Sequence, residues 1–182
     1  LRDELMGTED VKNRYEIIRD DIISNLFYQH ISSKVVEDDW TVDELEKALL
    51  ADYGANIPIS KSIDEGLDVE RVLEITLNGF ATAHEVKEKA IGKENMRTFE
   101  KAVMLRALDH HWKEHLAIMD QLRQSVNLRG YGQKNPVQEF KRESFSMFTE
   151  LLDTINGEIV KALCSINLEQ VSAKQQEILE EQ

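Results

Sequence analysis

Two prolines and eight glycines are the only strong helix breakers in 182 residues, so long helices meet few interruptions and an all-α chain is predicted. A single cysteine, Cys164, excludes any disulfide within the chain and fits a reducing compartment. Its setting, KALCSI, is an apolar helical stripe with no basic cluster to activate a thiol, so it reads as a buried, inert side chain. No run approaches the ~18–20 apolar residues that a membrane span needs. The opening LRDELMG lacks the basic-then-apolar order of a signal peptide and begins on Leu1, so the chain is expected to be an interior piece of a longer protein. There is no GxxxxGK[ST] string and no glycine-rich turn joining a strand to a helix. Nucleotide binding by these residues is therefore not expected, and no catalytic or cofactor-binding residue is assigned.

What is present is a mixture of 41% hydrophobic and 31% charged residues, enough to bury a real core. The net charge of −13 is uneven: residues 1–94 hold 22 acidic and 11 basic side chains, and residues 95–182 hold 13 and 11. Between positions 121 and 142 the basic residues Arg123, Arg129, Lys134, Lys141 and Arg142 face one acid, Glu139. An acidic chain with one basic spot excludes a general nucleic-acid binder, whose phosphate contacts need a broad positive surface. Such a spot suits acidic protein surface or anionic lipid.

Hydrophobic periodicity predicts a helix from Glu9 to Ile31 on Val11, Tyr15, Ile18, Ile22 and Leu26. In WTVDELEKALLADYG, Thr41 and Glu44 match a capping box, Leu45, Leu49 and Leu50 form a stripe, and Gly54 suits a C-terminal cap. Residues 55–66 read as a loop. Asp68 starts a helix through Val69, Val72, Leu73, Leu77 and Phe80 to about Ile91, and Gly92 marks an edge. From Asn95 to Asn127 a long helix is predicted with Phe99, Val103, Leu108, Trp112, Leu116, Met119 and Val126 near one face. The loop LRGYGQKNP follows. Asn135 then caps a second helix with Pro136 at its first position, running to Leu168 along Phe140, Phe145, Phe148, Leu152, Ile155, Ile159, Leu163 and Ile166. Two such segments joined by a short loop are an antiparallel helical hairpin, each arm of ~33 residues extending ~50 Å.

Three strings carry possible chemistry. In HHWKEH, His111 and His115 are four apart on one helix face, a spacing suited to metal ligands, but no third ligand is visible and the order is not HExxH. The cluster reads as surface or interface histidines, with no metal assigned. In KRESFSMF the aromatic spacing reads as packing against the first arm. The loop places Tyr131 between Gly130 and Gly132, flanked by Arg129 and Lys134. It is either an ordinary turn, with glycines supplying left-handed conformations, or a contact tip whose tyrosine offers amphipathic area at small entropy cost.

At these residues the chain resembles a known family. VMLRALD, WKEHLAIMDQLRQSVNLRGYGQKNP and QEFKRESFSMF, between Val103 and Ile166, look like the two-helix finger in the helical scaffold domain of SecA, the bacterial preprotein translocase ATPase. Residues from Val11 to Ile91 are similar to the helical wing domain that precedes the finger, through Trp40 before an acidic helix and the NIPI loop. The resemblance implies a wing domain over residues 1–93, a two-helix finger over 94–168 and a polar tail over 169–182. It further implies a fingertip made by Tyr131, Arg129, Gly130 and Lys134 that touches unfolded preprotein and the Sec channel. ATP and Mg would belong to motor domains absent from this chain, and the parent protein would be cytoplasmic and peripheral to the bacterial inner membrane. The apolar finger face, separated from the long scaffold helix, is expected at high concentration to self-associate or to be covered by the wing folding over the arms. The rival reading is a stand-alone helical adaptor that binds partner proteins and has no motor.

Overall fold

The computed structural model describes residues 10–32, 40–129 and 135–166. They form six helices and, among the described residues, no strand: α1 (Asp10–His30), α2 (Val42–Tyr53), α3 (Ile59–Asp64), α4 (Val69–Ile91), α5 (Lys93–Arg129) and α6 (Pro136–Cys164). The all-α expectation holds. Compactness divides these residues into two units, one of residues 10–101 with 160–166 and one of residues 102–159, so that α5 and α6 each contribute to both.

The first unit is built on a cluster from five helices: Ile23 and Phe27 of α1 with Ile31 just past its end, Leu45, Leu49 and Tyr53 of α2, Ile59 of α3, Val69, Val72 and Phe80 of α4, and Val160 of α6. Each fully buried side chain of this size contributes ~1.5–3 kcal/mol by leaving water. Helices as short as α2 and α3 are not stable alone, so this shared core holds them. Gly54 ends α2 at φ 65°, its N–H bonding back to the Leu50 carbonyl at 3.0 Å, as the cap prediction required. Asp68 caps α4 by accepting from Arg71 N–H at 2.8 Å.

Two local expectations fail. Thr41 makes no side-chain cap to α2; its hydroxyl pairs instead with His30 Nδ1 at 2.7 Å, while Trp40 Nε1 donates to the Ser32 carbonyl. The tertiary bond to the end of α1 outcompetes the local capping box. Residues 55–66 are also not all loop. The six-residue α3 forms there because Ile59 is buried in the core and the Glu46 carboxylate accepts from both the Ser60 N–H (2.7 Å) and its hydroxyl (2.9 Å). That carboxylate satisfies donors at the helix start that the sequence offers no local cap for.

The second unit is the antiparallel hairpin. Val126 of α5 lies with Val137 and Phe140 of α6 around one hollow, the His115 and Phe148 rings are 6.2 Å apart, and His111 meets Glu158. Positions advancing along α5 thus meet positions receding along α6. Met104, Ala107, His115, Leu122 and Val126 are buried from one arm, and Leu151, Ile155 and Ile159 from the other. The inward face of α5 is not the predicted one. Trp112 and Leu116 are exposed, as is Phe99 in the first unit, and the buried line runs Met96, Glu100, Met104, Ala107, His115, Leu122, Val126. Polar residues occupy two of its positions, which hides it from a search for apolar repeats. Residue 168, the predicted end of the second arm, lies outside the described residues; α6 ends at Cys164.

Candidate functional site

The second arm of the hairpin begins as predicted. Asn135 Oδ1 accepts from the Val137 N–H at 3.0 Å, and Pro136, which has no N–H to lose, is the first helical residue. The fingertip residues Gly130, Tyr131 and Lys134 lie outside the described residues, as does the side chain of Arg129, whose backbone closes α5. What is described is the collar beneath them: Arg123, Val126, Pro136, Val137 and Phe140 enclose a hollow of about 250 Å³, mostly apolar, with Val137 exposed. Arg142 pairs with Glu139 at 3.0 Å one turn away on its own helix, an exposed contact of little energetic weight.

The arms carry more exposed apolar surface than the aromatic spacing predicts. KRESFSMF packs on the first arm only in part: the Phe148 ring, 41% exposed, stands 6.2 Å from that of His115, while Phe145 is 73% exposed, because the buried positions of α6 fall to Leu151, Ile155 and Ile159. On α5, Trp112 and Leu116 are also exposed, at 43% and 54%. His115 lies between the two sets, its ring 5.7 Å from Trp112 and 6.2 Å from Phe148. Large side chains left in water on both arms of one hairpin mark a surface suited to protein contact.

In the first unit, sequence reasoning missed a buried polar cluster. Glu100 of α5 is fully buried; one carboxylate oxygen lies 2.9 Å from His84 Nε2 and the other 3.0 Å from Arg97 Nη1. These contacts are close but poorly directed, leaving neither Glu100 oxygen a well-aligned hydrogen bond. Arg97 also pairs with Glu88, which Lys12 approaches at 3.4 Å. The Tyr15 ring packs on His84 at 4.6 Å, beneath the buried guanidinium of Arg19. The available signal was an acid at i±4 from two methionines, Met96 and Met104, on a long helix.

The same cluster reaches Cys164. Its Sγ is 3.5 Å from the Tyr15 hydroxyl, and Lys87 donates to its backbone carbonyl, satisfying an acceptor at the α6 C-terminus. Tyr15, Tyr53, Phe80, His84, Lys87 and Cys164 line a cavity of about 100 Å³. Burial pushes the Cys164 thiol above its ordinary range, only partly offset by the Tyr15 hydrogen bond and the charges of Lys87 and Arg19. Burial likewise raises the Tyr15 and Tyr53 phenols and lowers the Lys87 ammonium. Alkylation of Cys164 by iodoacetamide at pH 8 should be about tenfold or more slower than that of a free thiol, with urea restoring the ordinary rate. The thiol and phenols contribute stability that is fully present below their unfolded values and is lost as pH rises from ~9 toward the folded ones. Lys87 opposes this, since its folded value lies lower. Folding stability measured by urea titration should therefore decline above about pH 9, and Tyr15→Phe should flatten the decline. A fast-reacting thiol in the folded chain, or flat alkaline stability, would contradict this picture.

Comparison with known proteins agrees with this architecture. A family model described as the SecA Wing and Scaffold domain matches residues 1–167. The protein translocase subunit SecA of Vesicomyosocius okutanii subsp. Calyptogena okutanii (strain HA) is 51% identical over 168 residues, covering 92% of this chain and 19% of that protein. The subunit from Ruthia magnifica subsp. Calyptogena magnifica is 52% identical over 168 residues with the same coverage. That of Methylococcus capsulatus (strain ATCC 33009 / NCIMB 11132 / Bath) is 43% identical over 162 residues. The chain spans about a fifth of the length of the curated relatives it matches.

Proposed function

Because this chain belongs to the SecA protein translocase family, in its wing and scaffold region, we propose that it serves as the polypeptide-handling part of a translocase that moves secretory proteins across the membrane. The observation that carries this reading is the family match over residues 1–167, which takes in both arms and the loop between them. In this reading residues 1–93 form the wing, 94–168 the two-helix finger and 169–182 a polar tail. The finger presents Tyr131, backed by Arg129, Gly130 and Lys134, to unfolded preprotein at the mouth of the Sec channel.

The mechanics follow from the arms. A helical hairpin is stiff along its length, so displacement at its base is delivered at its tip, and a tyrosine there grips varied sequences through area and not through a coded pocket. The exposed Trp112, Leu116, Phe145 and Phe148 offer apolar surface to other parts of the translocase or to a second copy. ATP and Mg are given no residues here: among the described residues no strand leads into a phosphate-binding turn. Nucleotide chemistry is accordingly assigned to other segments of the translocase. The described residues contain no helix long and apolar enough to cross a membrane. From its family we assign the protein to the membrane periphery, held there by the channel and, at the basic spot, by anionic lipid.

A photoreactive amino acid at position 131 of a full-length translocase carrying this region should capture a translocating polypeptide in the presence of ATP. The same group at Ser146, an exposed position of α6, should capture far less. Equal capture at both positions, or none at 131, would remove the fingertip assignment.

A further inference from the structure

The hairpin also carries a group of donors that the proposed function leaves unused. His110, His111 and Glu114 occupy one turn of α5, and one donor atom from each lies within 4.8 Å of the others. His111 Nδ1 is 3.6 Å from Glu114 Oε2, and His110 Nε2 is 3.9 Å from Glu114 Oε1. Zinc holds imidazole and carboxylate ligands at ~2.0–2.2 Å, so tetrahedral neighbours stand about 3.3–3.5 Å apart. The cluster is therefore a small side-chain rotation from closing. The two residues that must rotate, His110 and Glu114, are the exposed ones, at 63% and 61%.

The third residue is held in place. His111, only 16% exposed, has its Nε2 2.5 Å from Glu158 Oε2 of α6. A carboxylate accepting from Nε2–H leaves the lone pair of a neutral imidazole on Nδ1, the nitrogen that faces Glu114. This is the carboxylate–histidine pairing that orients and strengthens metal-bound imidazoles. The partner that spacing alone would suggest, His115, is unsuited: it is 8% exposed and packed between Trp112 and Phe148.

We propose that His110, His111 and Glu114 form a three-ligand site for a divalent transition metal of the zinc, nickel and copper group, with Glu158 as the positioning residue and water completing the coordination. Two imidazoles with one carboxylate select this group over calcium or magnesium, which prefer oxygen ligands. A depression lined by Arg106, Asp109, Lys113 and Glu158 reaches His110, one of the three ligands. Solvent access and two nearby cations set the affinity in the micromolar range. A bound ion ties α5 to the carboxylate of α6 through His111.

The test is calorimetric titration of the untagged 182-residue chain with zinc chloride, with histidine ring resonances followed by NMR. One zinc per chain should bind at micromolar Kd, moving the signals of His110 and His111 and leaving those of His84 and His115 in place. His111→Ala and His110→Ala should each weaken binding by more than tenfold with helicity unchanged. Glu158→Ala should weaken it by roughly 10-fold, while Glu158→Gln, whose carbonyl still accepts from Nε2–H, should retain most of the affinity. Millimolar calcium or magnesium should not compete. No stoichiometric binding below ~100 μM zinc would overturn the site and leave an ion-paired surface cluster, since even a modest metal site exceeds that affinity. Binding unchanged in His111→Ala would overturn it equally.

Discussion

Glu100→Ala is expected to remove about 3–5 kcal/mol of folding stability, the cost of breaking a buried charge pair by deleting one partner. Glu100 is fully enclosed, and its carboxylate is the group nearest both His84 Nε2 and Arg97 Nη1. Without it Arg97 keeps Glu88, but His84, 4% exposed and covered by the Tyr15 ring, faces a void with its polar edge unanswered. A loss of this size is a large share of the ~5–15 kcal/mol that holds a typical domain. The effect should be cooperative: His84→Ala with Glu100→Ala should cost less than the sum of the single changes, by about 0.5–3 kcal/mol, because each single change strands the other group. Urea titration followed by circular dichroism at neutral pH gives all three values. A single-mutant cost below ~1 kcal/mol, or strict additivity, would mean that the carboxylate merely tolerates burial.

This cluster also shows where the sequence was legible and where it was not. Helix existence, the hairpin and the caps at Gly54, Asp68 and Asn135 follow from punctuation residues whose effects are local, and they are present as expected. The buried faces were harder to place because charged or polar residues sit within them. In α1 the true line is Val11, Tyr15, Arg19, Ile23 and Phe27, continued by Ile31 just past the helix end. A search for apolar repeats passes over Arg19 and settles on Ile18, Ile22 and Leu26, which are only partly buried. Glu100 and His115 shift the reading of α5 in the same way, and Thr76 and His84 extend the buried face of α4 beyond its apolar residues. Glu100 and His84 meet across α5 and α4, and His115 meets Phe148 across the hairpin, whereas Arg19 pairs with its neighbour Asp20 and Thr76 with its own helix backbone at Val72. Long-range pairing cannot be read from spacing. The His110–Glu114 group was hidden for a related reason: the pair on one helix face was His111 and His115, and only the fold shows that His115 is packed away while Glu158 holds His111.

The other large effect is expected at the fingertip. Tyr131→Ala should lower preprotein transport by a full-length translocase on the order of tenfold or more, as loss of a central aromatic contact does in binding surfaces. The same change should scarcely affect folding. The helices on either side are set by Asn135 and Pro136 and by the buried Leu122, Val126, Leu151 and Ile155, none of which is altered. The unfolding temperature of the chain should move by no more than about one or two degrees. If aromatic area does the gripping, Tyr131→Phe and Tyr131→Trp should keep much more transport than alanine. A loop that merely reverses the chain predicts the opposite pattern, with transport indifferent to the residue at 131. The most direct measurement therefore pairs thermal unfolding of the 182-residue chain with transport by the full-length translocase for each of the three substitutions. An alanine variant with unchanged unfolding and severely reduced transport, restored by the aromatic replacements, is the result this account predicts; normal transport in the alanine variant would contradict it and leave the hairpin a passive strut.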